Sequence, residues 1–231
     1  MVTITYKKMT ADDIAEVVRI HKAAFKNYFL TSLGEKFLYI YYSQYLSKDY
    51  CFAVVARADN KPVGFIVGTN STQKLYRNLY KDNFFKLSVL FLRALFTEKV
   101  VQTKVFSRYR QIITAIKSRF SRPPANPEGS ATTELRLLSI AVLPQFRGNG
   151  ISRELLAFFE RNVKAGGIKK MGLSVLKNNP RAICFYQKTG WKEDGAGDES
   201  LLFVKDLRDR AAPIPKKRSG GPEALERLST V

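Results

Sequence analysis

Residues 134–152 read ELRLLSIAVLPQFRGNGIS, and the order of features in that stretch decides the fold. Glu134 to Val142 is an apolar, strand-forming run, Pro144 and the glycines at 148 and 150 break it, and Gly148 to Ala165 then repeats apolar residues at helical spacing. A helix that starts directly after a strand offers unpaired backbone N–H groups and a partial positive charge, and glycines let an anion come close to the main chain. The stretch therefore reads as a cradle for a phosphate or pyrophosphate. A dinucleotide fingerprint would need a third glycine after Gly150, and a P-loop would need Gly-Lys-Ser/Thr; neither is present. Taken by itself, the motif reads first as a plain turn between strand and helix.

Working outward, Lys170 to Leu176 reads as a buried strand, Asn179 to Thr189 as a helix, and Trp191 to Asp194 with Ser200 to Lys205 as closing strands. Upstream, Val2 to Lys7 alternates as a strand. Thr10 caps a helix running to about Phe25, with Ile14, Val17, Val18 and His21 on one face. A second helix is expected over Leu33 to Leu46, after the turn at Gly34. Cys51 to Ala58 and Pro62 to Thr69 are strands joined through Asp59, Asn60 and Lys61, a hairpin signal. From Ser71 to about Phe120 the pattern is helical and basic, and Pro123, Pro124, Pro127 and Gly129 then form a link. Together these readings give an α/β chain: one domain over 1–206 with a helical insertion at about 71–129, followed by a basic tail at 207–231 expected to be mobile.

A second motif follows the first. Gln145, Arg147, Gly148 and Gly150 resemble the Q/R-x-x-G-x-G/A signature of the GNAT acetyltransferase superfamily. Asn179, Ala182, Phe185, Tyr186, Lys188, Gly190 and Trp191 resemble the block that ends that family's core. The resemblance implies a mixed β-sheet, splayed apart after the strand ending near Val142 and flanked by helices, with acetyl-CoA as acyl-donor co-substrate wedged into the gap. It implies that Ile140, Ala141 and Val142 face the pantetheine arm, and that Gln145, Phe146, Arg147, Gly148, Asn149, Gly150, Ile151 and Ser152 hold the pyrophosphate. Asn179 would reach the pantetheine. A looser likeness of Phe25 to Tyr42 to bacterial members of amino-sugar or polysaccharide pathways points to a small amine acceptor.

Acetyl transfer to an amine requires a neutral nucleophile and a proton donor for the departing thiolate. Tyr186 occupies the family's general-acid position, the alternative being a core aromatic. Glu134 lies eleven residues before Gln145, the spacing of the catalytic glutamate in the superfamily's histone acetyltransferases; the alternative is a solvated strand-end carboxylate. Another branch places its base on the next strand, where this chain has Ser174, too weak a base. His21, the only histidine, reads as a packed core residue, Cys184 likewise, and no metal constellation appears.

The chain of 231 residues carries a formal net charge of +19. Between Gln73 and Arg122, twelve Lys or Arg face two acids, so this stretch holds ten of those nineteen charges. Such a balance favours an anionic partner, whether a phosphate-bearing small molecule, an acidic membrane surface or nucleic acid. Nucleic acid ranks last because no nucleic-acid module accompanies the charge. Leu75, Leu79, Phe84, Leu87, Phe91 and Leu95 recur at helical steps among the cations, a basic amphipathic pattern. It suits either packing on the domain or peripheral contact with an anionic membrane. Two cysteines and no signal-peptide pattern point to a cytoplasmic, reducing setting. The function expected is thus an N-acetyltransferase of a small amine. Acetylation of protein N-termini or lysines and a non-catalytic CoA-binding or membrane-associated module are the alternatives.

Overall fold

The computed structural model describes residues 3–26, 28–46, 48–97 and 134–208, apart from the side chains of residues 91 and 93–97. The rest of the insertion, 98–129, and the tail from 209 lie outside the described residues. So do the second helix expected in the insertion and the mobility expected of the tail.

The first strand, β1 (Ile4–Lys8), leads into a 3-10 turn at Ala11–Asp13 and then α1 (Ile14–Ala24). Thr10 and Asp13 form the capping box that starts this segment. The Thr10 N–H donates to Asp13 Oδ2 at 2.9 Å and the Asp13 N–H returns to Thr10. Asp13 is almost fully buried and also accepts from Arg57 Nη2 at 2.6 Å, which ties the helix start to the neighbouring strand. A short α2 (Phe29–Ser32) and α3 (Glu35–Ser43) follow, separated by Gly34 at φ 90°. β2 (Cys51–Ala58) and β3 (Lys61–Thr69) form the expected hairpin. Its turn is tighter than the sequence reading, since Ala58 pairs Lys61 and only Asp59 and Asn60 lie between them. Both have positive φ, 47° and 67°, the backbone that a two-residue turn matched to strand twist requires.

Next come α4 (Thr72–Thr97), β4 (Glu134–Val142), a 3-10 turn at Pro144–Phe146, α5 (Ile151–Ala165), β5 (Lys170–Leu176), α6 (Pro180–Lys188), β6 (Lys192–Ala196) and β7 (Ser200–Asp206). The sheet order is β1-β2-β3-β4-β5-β7-β6. The pair β4–β5 is parallel and every other pair is antiparallel. α3 covers one face, where Tyr42 packs edge-on against Phe65 of β3 with centroids 5.1 Å apart. α5 covers the other, with Leu155 and Phe159 lying over Gly64 and Gly68 of the same strand. Neighbouring residues of a strand point to opposite faces, so Gly64 and Phe65 mark the two layers. Lys205 of β7 bridges Glu160 of α5 at 2.8 Å and the Thr189 carbonyl at the end of α6 at 2.7 Å, locking the second half of the sheet to its helices.

Strand β4 carries an irregularity that the sequence does not announce. Val67 pairs Ser139 but Gly68 pairs Leu137, so Leu138 is an extra residue, a β-bulge. Its effect shows in the packing. Leu135 meets Gly68 and Val142 meets Gly64, both on the α5 side, although seven positions separate them and strict alternation would put them on opposite faces.

α4 departs from the amphipathic reading. Asn83 has non-helical angles (φ −134°, ψ 20°), and the kink resets the helix phase. Leu75, Leu79 and Leu87 are buried as expected, but Phe84 is 60% exposed: it follows Leu79 by five residues, about 140° round a helix at 3.6 residues per turn, and lies next to the kink.

A Cβ at Gly68 would sit 2.7 Å from Leu135 Cδ2 and 2.9 Å from the Arg136 carbonyl. Replacing Gly68 by Ala is therefore expected to destabilise the protein by roughly 1–3 kcal/mol through overpacking, read as a lowered urea midpoint at unchanged m-value.

Candidate active site

β4 and β5 pair only over Glu134–Arg136 with Lys170–Gly172, whereas β5 pairs β7 along its entire length. Beyond Arg136 the two parallel strands separate, and a cleft of about 1900 Å³ opens between them. Its floor and walls include Leu137 to Val142 of β4 and Leu173 to Leu176 of β5. The β4 edge facing the cleft is a row of backbone groups without a neighbouring strand, which calls for a ligand with amide-like donors and acceptors of its own.

The loop after β4 enters the cleft. Arg147, Gly148, Asn149 and Gly150 line it, followed by Ile151 and Ser152 in the first turn of α5. Gly148 and Gly150 have φ of 87° and 78°, and Gly150 is the N-cap of α5. A side chain would find open space at either position, so the requirement is conformational: an L-residue there pays about 1–2 kcal/mol in the left-handed region. The Arg153 N–H already donates to the Gly150 carbonyl at 2.9 Å, whereas the helix-opening amides of Ile151 and Ser152, both in the lining, precede the first intrahelical bond and form an anion site. The expected helix start at Gly148 moves to Ile151, because 148–150 form the loop itself.

Four arginines line the cleft, Arg147, Arg153, Arg161 and Arg181, against Glu154 and Glu199. Arg147 donates through Nε to the Val142 carbonyl at 3.1 Å, so one of the β4 groups expected to face the pantetheine is already engaged. Desolvation lowers the Arg147 pKa, and the neighbouring Arg181 lowers it further. Two like charges held together in a cleft are the arrangement an anion relieves. Arg153 and Arg181 were not singled out from the sequence, yet a signal exists. Each sits in the first turn of its helix, where a cation opposes the helix dipole unless an anion binds there.

Asn179 lines the cleft as the N-cap of α6, its Oδ1 accepting from the Ala182 amide at 3.1 Å, which leaves its amide N–H₂ for a ligand. Tyr186 also lines the cleft. It is 6% exposed, packed edge-on against Trp191 and Phe185, and burial raises the phenol's pKa, so it stays protonated as a proton donor must. Ile140, Ala141 and Val142 lie in the lining as well; Gln145 and Phe146, in the 3-10 turn, do not. Glu134 is not brought into the lining either. It stands at the start of β4, its side chain 68% exposed, 3.9 Å from Lys170 Nζ on the still-paired part of β5. A base role for Glu134 thus needs a bridging water. Ser174, set aside from the sequence, does line the cleft.

The far wall is aromatic: Phe25, Tyr28, Phe29, Tyr41 and Tyr42 from α1 to α3. His21 is 3% exposed, in keeping with a core residue, and it also forms part of this wall. Among the described residues no group of three or more His, Cys, Asp or Glu is placed to hold a metal ion, and no helix is long and apolar enough to cross a membrane.

A splayed mixed sheet with an anion cradle after β4 is the architecture of an acyl-CoA-dependent transferase. Residues 14–191 match the sequence profile of the Acetyltransferase (GNAT) family, and the chain belongs to that family. Acetyl-CoA is the family's acyl donor. An uncharacterized ycf52-like N-acetyltransferase of Prochlorococcus marinus is 30% identical over 75 residues, 32% of this chain and 40% of that protein. The chain thus matches less than half the length of this curated relative. Two solved structures share the fold. The PaiA N-acetyltransferase of Thermoplasma acidophilum, in complex with coenzyme A, has a TM-score of 0.51 at 15% identity, over 88% of this chain and 99% of that one. The ribosomal-protein-S18-alanine N-acetyltransferase of Escherichia coli has a TM-score of 0.54 at 13% identity, over 92% and 99%.

Arg181→Ala is expected to weaken CoA binding about tenfold at low ionic strength, with the difference shrinking as salt screens the pair. Isothermal titration with CoA at two salt concentrations measures both effects.

Proposed function

We propose that the protein is an acetyl-CoA-dependent N-acetyltransferase that moves an acetyl group to a primary amine of a small molecule, such as an amino sugar, by direct attack in a ternary complex. The observation that carries this reading is a single cleft with two unlike walls. One is an arginine-lined anion cradle beside an unpaired strand edge, suited to CoA. The other is a set of aromatic rings, Phe25, Tyr28 and Phe29, on which a sugar ring can stack. In the proposed step the amine nitrogen bonds to the thioester carbon and the C–S bond breaks. Tyr186 supplies the proton taken by the thiolate, and Glu134 receives the amine's proton through water. Tyr186→Phe is expected to lower kcat about 10²-fold with CoA affinity unchanged, and Glu134→Gln to lower kcat at least about tenfold. Free CoA thiol measured against amino sugars, nucleotide amino sugars, polyamines, amino acids and peptides tests the whole reading. Release with peptides alone would assign a protein acetyltransferase, and CoA binding without release for any acceptor would assign a non-catalytic module.

A second property rests on α4. Its buried leucines lie opposite an exposed apolar stripe, with Phe85 83% exposed and Val89 and Leu92 also open, beside exposed Lys74, Arg77, Lys81 and Lys86. We propose that this face sits on an anionic membrane surface. Aliphatic Val89 and Leu92 need an apolar medium that nucleic acid does not offer, and two copies of a chain carrying +19 repel each other. Co-sedimentation with vesicles containing anionic lipid is expected, lost when Arg77, Lys81 and Lys86 are changed to Glu and reduced by Phe85→Ser. Retention of both variants on the vesicles would reject the assignment.

A further inference from the structure

The cleft does not end at the cradle. Beyond Ile151 and Ser152 its lining continues along α5 through Arg153, Ala157 and Arg161, which follow one another at four-residue steps and so share one side of the helix. Arg153 and Arg161 are exposed, and among the described residues neither forms a salt bridge. The acid beside them, Glu154, accepts from Tyr6 Oη at 2.9 Å and is thereby tied to β1. Ala157 is too short to fill the space between the two guanidinium groups, so the stripe is a shallow groove with a cation at each end. Arg161 is supported by a stack that starts on β1. The Tyr6 ring lies 6.0 Å from that of Phe158, and Arg161 Cζ lies 5.7 Å from the Phe158 centroid. A guanidinium packed by its face on a ring keeps its N–H groups at the edge, where they can form paired hydrogen bonds to a phosphate.

A helical side chain covers the turn before its own Cα, so the Arg161 guanidinium, over Phe158, stands about 10 Å along the axis from the start of α5. A CoA whose pantetheine arm lies along the open β4 edge, and whose pyrophosphate meets the Ile151 and Ser152 amides, has its other end outside the cradle. That end is an adenosine carrying a 3′-phosphate, a dianion one ribose beyond the pyrophosphate. We propose that Arg161 binds the 3′-phosphate of CoA, that Arg153 closes the groove on the cradle side, and that Phe158 is a positioning residue that presents the Arg161 guanidinium. The groove then makes the protein selective for CoA over its 3′-dephospho form. The inference rests on acetyl-CoA as donor and not on the identity of the acceptor amine.

Isothermal titration of the full chain with CoA and with 3′-dephospho-CoA, at about 0.15 M salt where distant charges are screened, isolates the one phosphate that differs. The wild type is expected to bind CoA about tenfold more tightly than the dephospho form, as a paired charge-assisted contact gives. Arg161→Ala is expected to lower the affinity for CoA to that for the dephospho form. Its affinity for the dephospho form should stay within about twofold of the wild type, which also shows that the variant is folded. Phe158→Leu is expected to lower the ratio of the two affinities to about threefold, and Phe158→Tyr, which keeps the ring, to preserve it. Equal affinity of the wild type for the two ligands, or equal weakening of both by Arg161→Ala, would overturn the proposal. An Arg161→Ala variant that keeps the ratio but raises the KM for glucosamine 6-phosphate, and not for glucosamine, would overturn it too and give the site to a phosphate on the acceptor. Wild type that binds neither nucleotide would overturn the placement of CoA in the cleft, and this inference with it. An amine panel without turnover, by contrast, sinks the acceptor reading and leaves this ratio as it is.

Discussion

The site depends on one constraint: β4 is hydrogen-bonded to β3 on one side but to β5 for only three residues on the other. Buried backbone groups without partners cost roughly 1–3 kcal/mol each, so a strand edge left open inside a domain is tolerated only where something completes it. Here the opening is built into the sheet. β5 has its full complement of partners on β7, and the loop through Gly148 and Gly150 starts α5 at the mouth of the gap. A pantetheine arm, with its own amides, is the kind of ligand that can lie along such an edge.

The bulge at Leu138 gives the same strand a second task. Without it, Leu135 and Val142 would point to opposite layers; with it, both pack toward α5, and Ser139 is left for the face that carries α3. One inserted residue thereby keeps the core continuous on the α5 side while leaving Ser139 in the lining of the cleft. The close approach that makes this possible requires glycine at 64 and 68, where a Cβ would come within 3 Å of β4.

Charge is arranged in two separate places. The arginines at the cleft, two of them in first helical turns, concentrate positive potential where an anion can be met by backbone amides. The cations of α4 lie on an outward surface beside aromatic and aliphatic side chains. The positive charge is therefore enclosed and directional in the cleft, and spread over an outward surface with apolar neighbours on α4.

Much of this was legible in the sequence, and the legible parts share a physical origin. The hairpin at 51–69, the cap at Thr10, the strand-to-helix loop at 142–151 and the helix beginning at Asn179 are each set by residues within a few positions of one another, through turn angles and orphan amides. What only the tertiary structure decided involves residues far apart in the chain. The bulge is a mismatch of register between β3 and β4, and it resets which β4 side chains share a face. Glu134 has the right spacing from Gln145 along the chain, but the paired end of β5 keeps it outside the cleft lining. Phe84 follows Leu79 by five residues, beside the kink at Asn83, and is left outside the buried stripe of Leu75, Leu79 and Leu87. His21 reads as core and is core, but that its two ring nitrogens meet Tyr42 and Thr31 follows from three segments meeting in space. Local pattern determines which elements form, because backbone hydrogen bonding and capping are short-range; lateral packing determines which groups meet, because register and facing depend on partners that the local sequence does not contain.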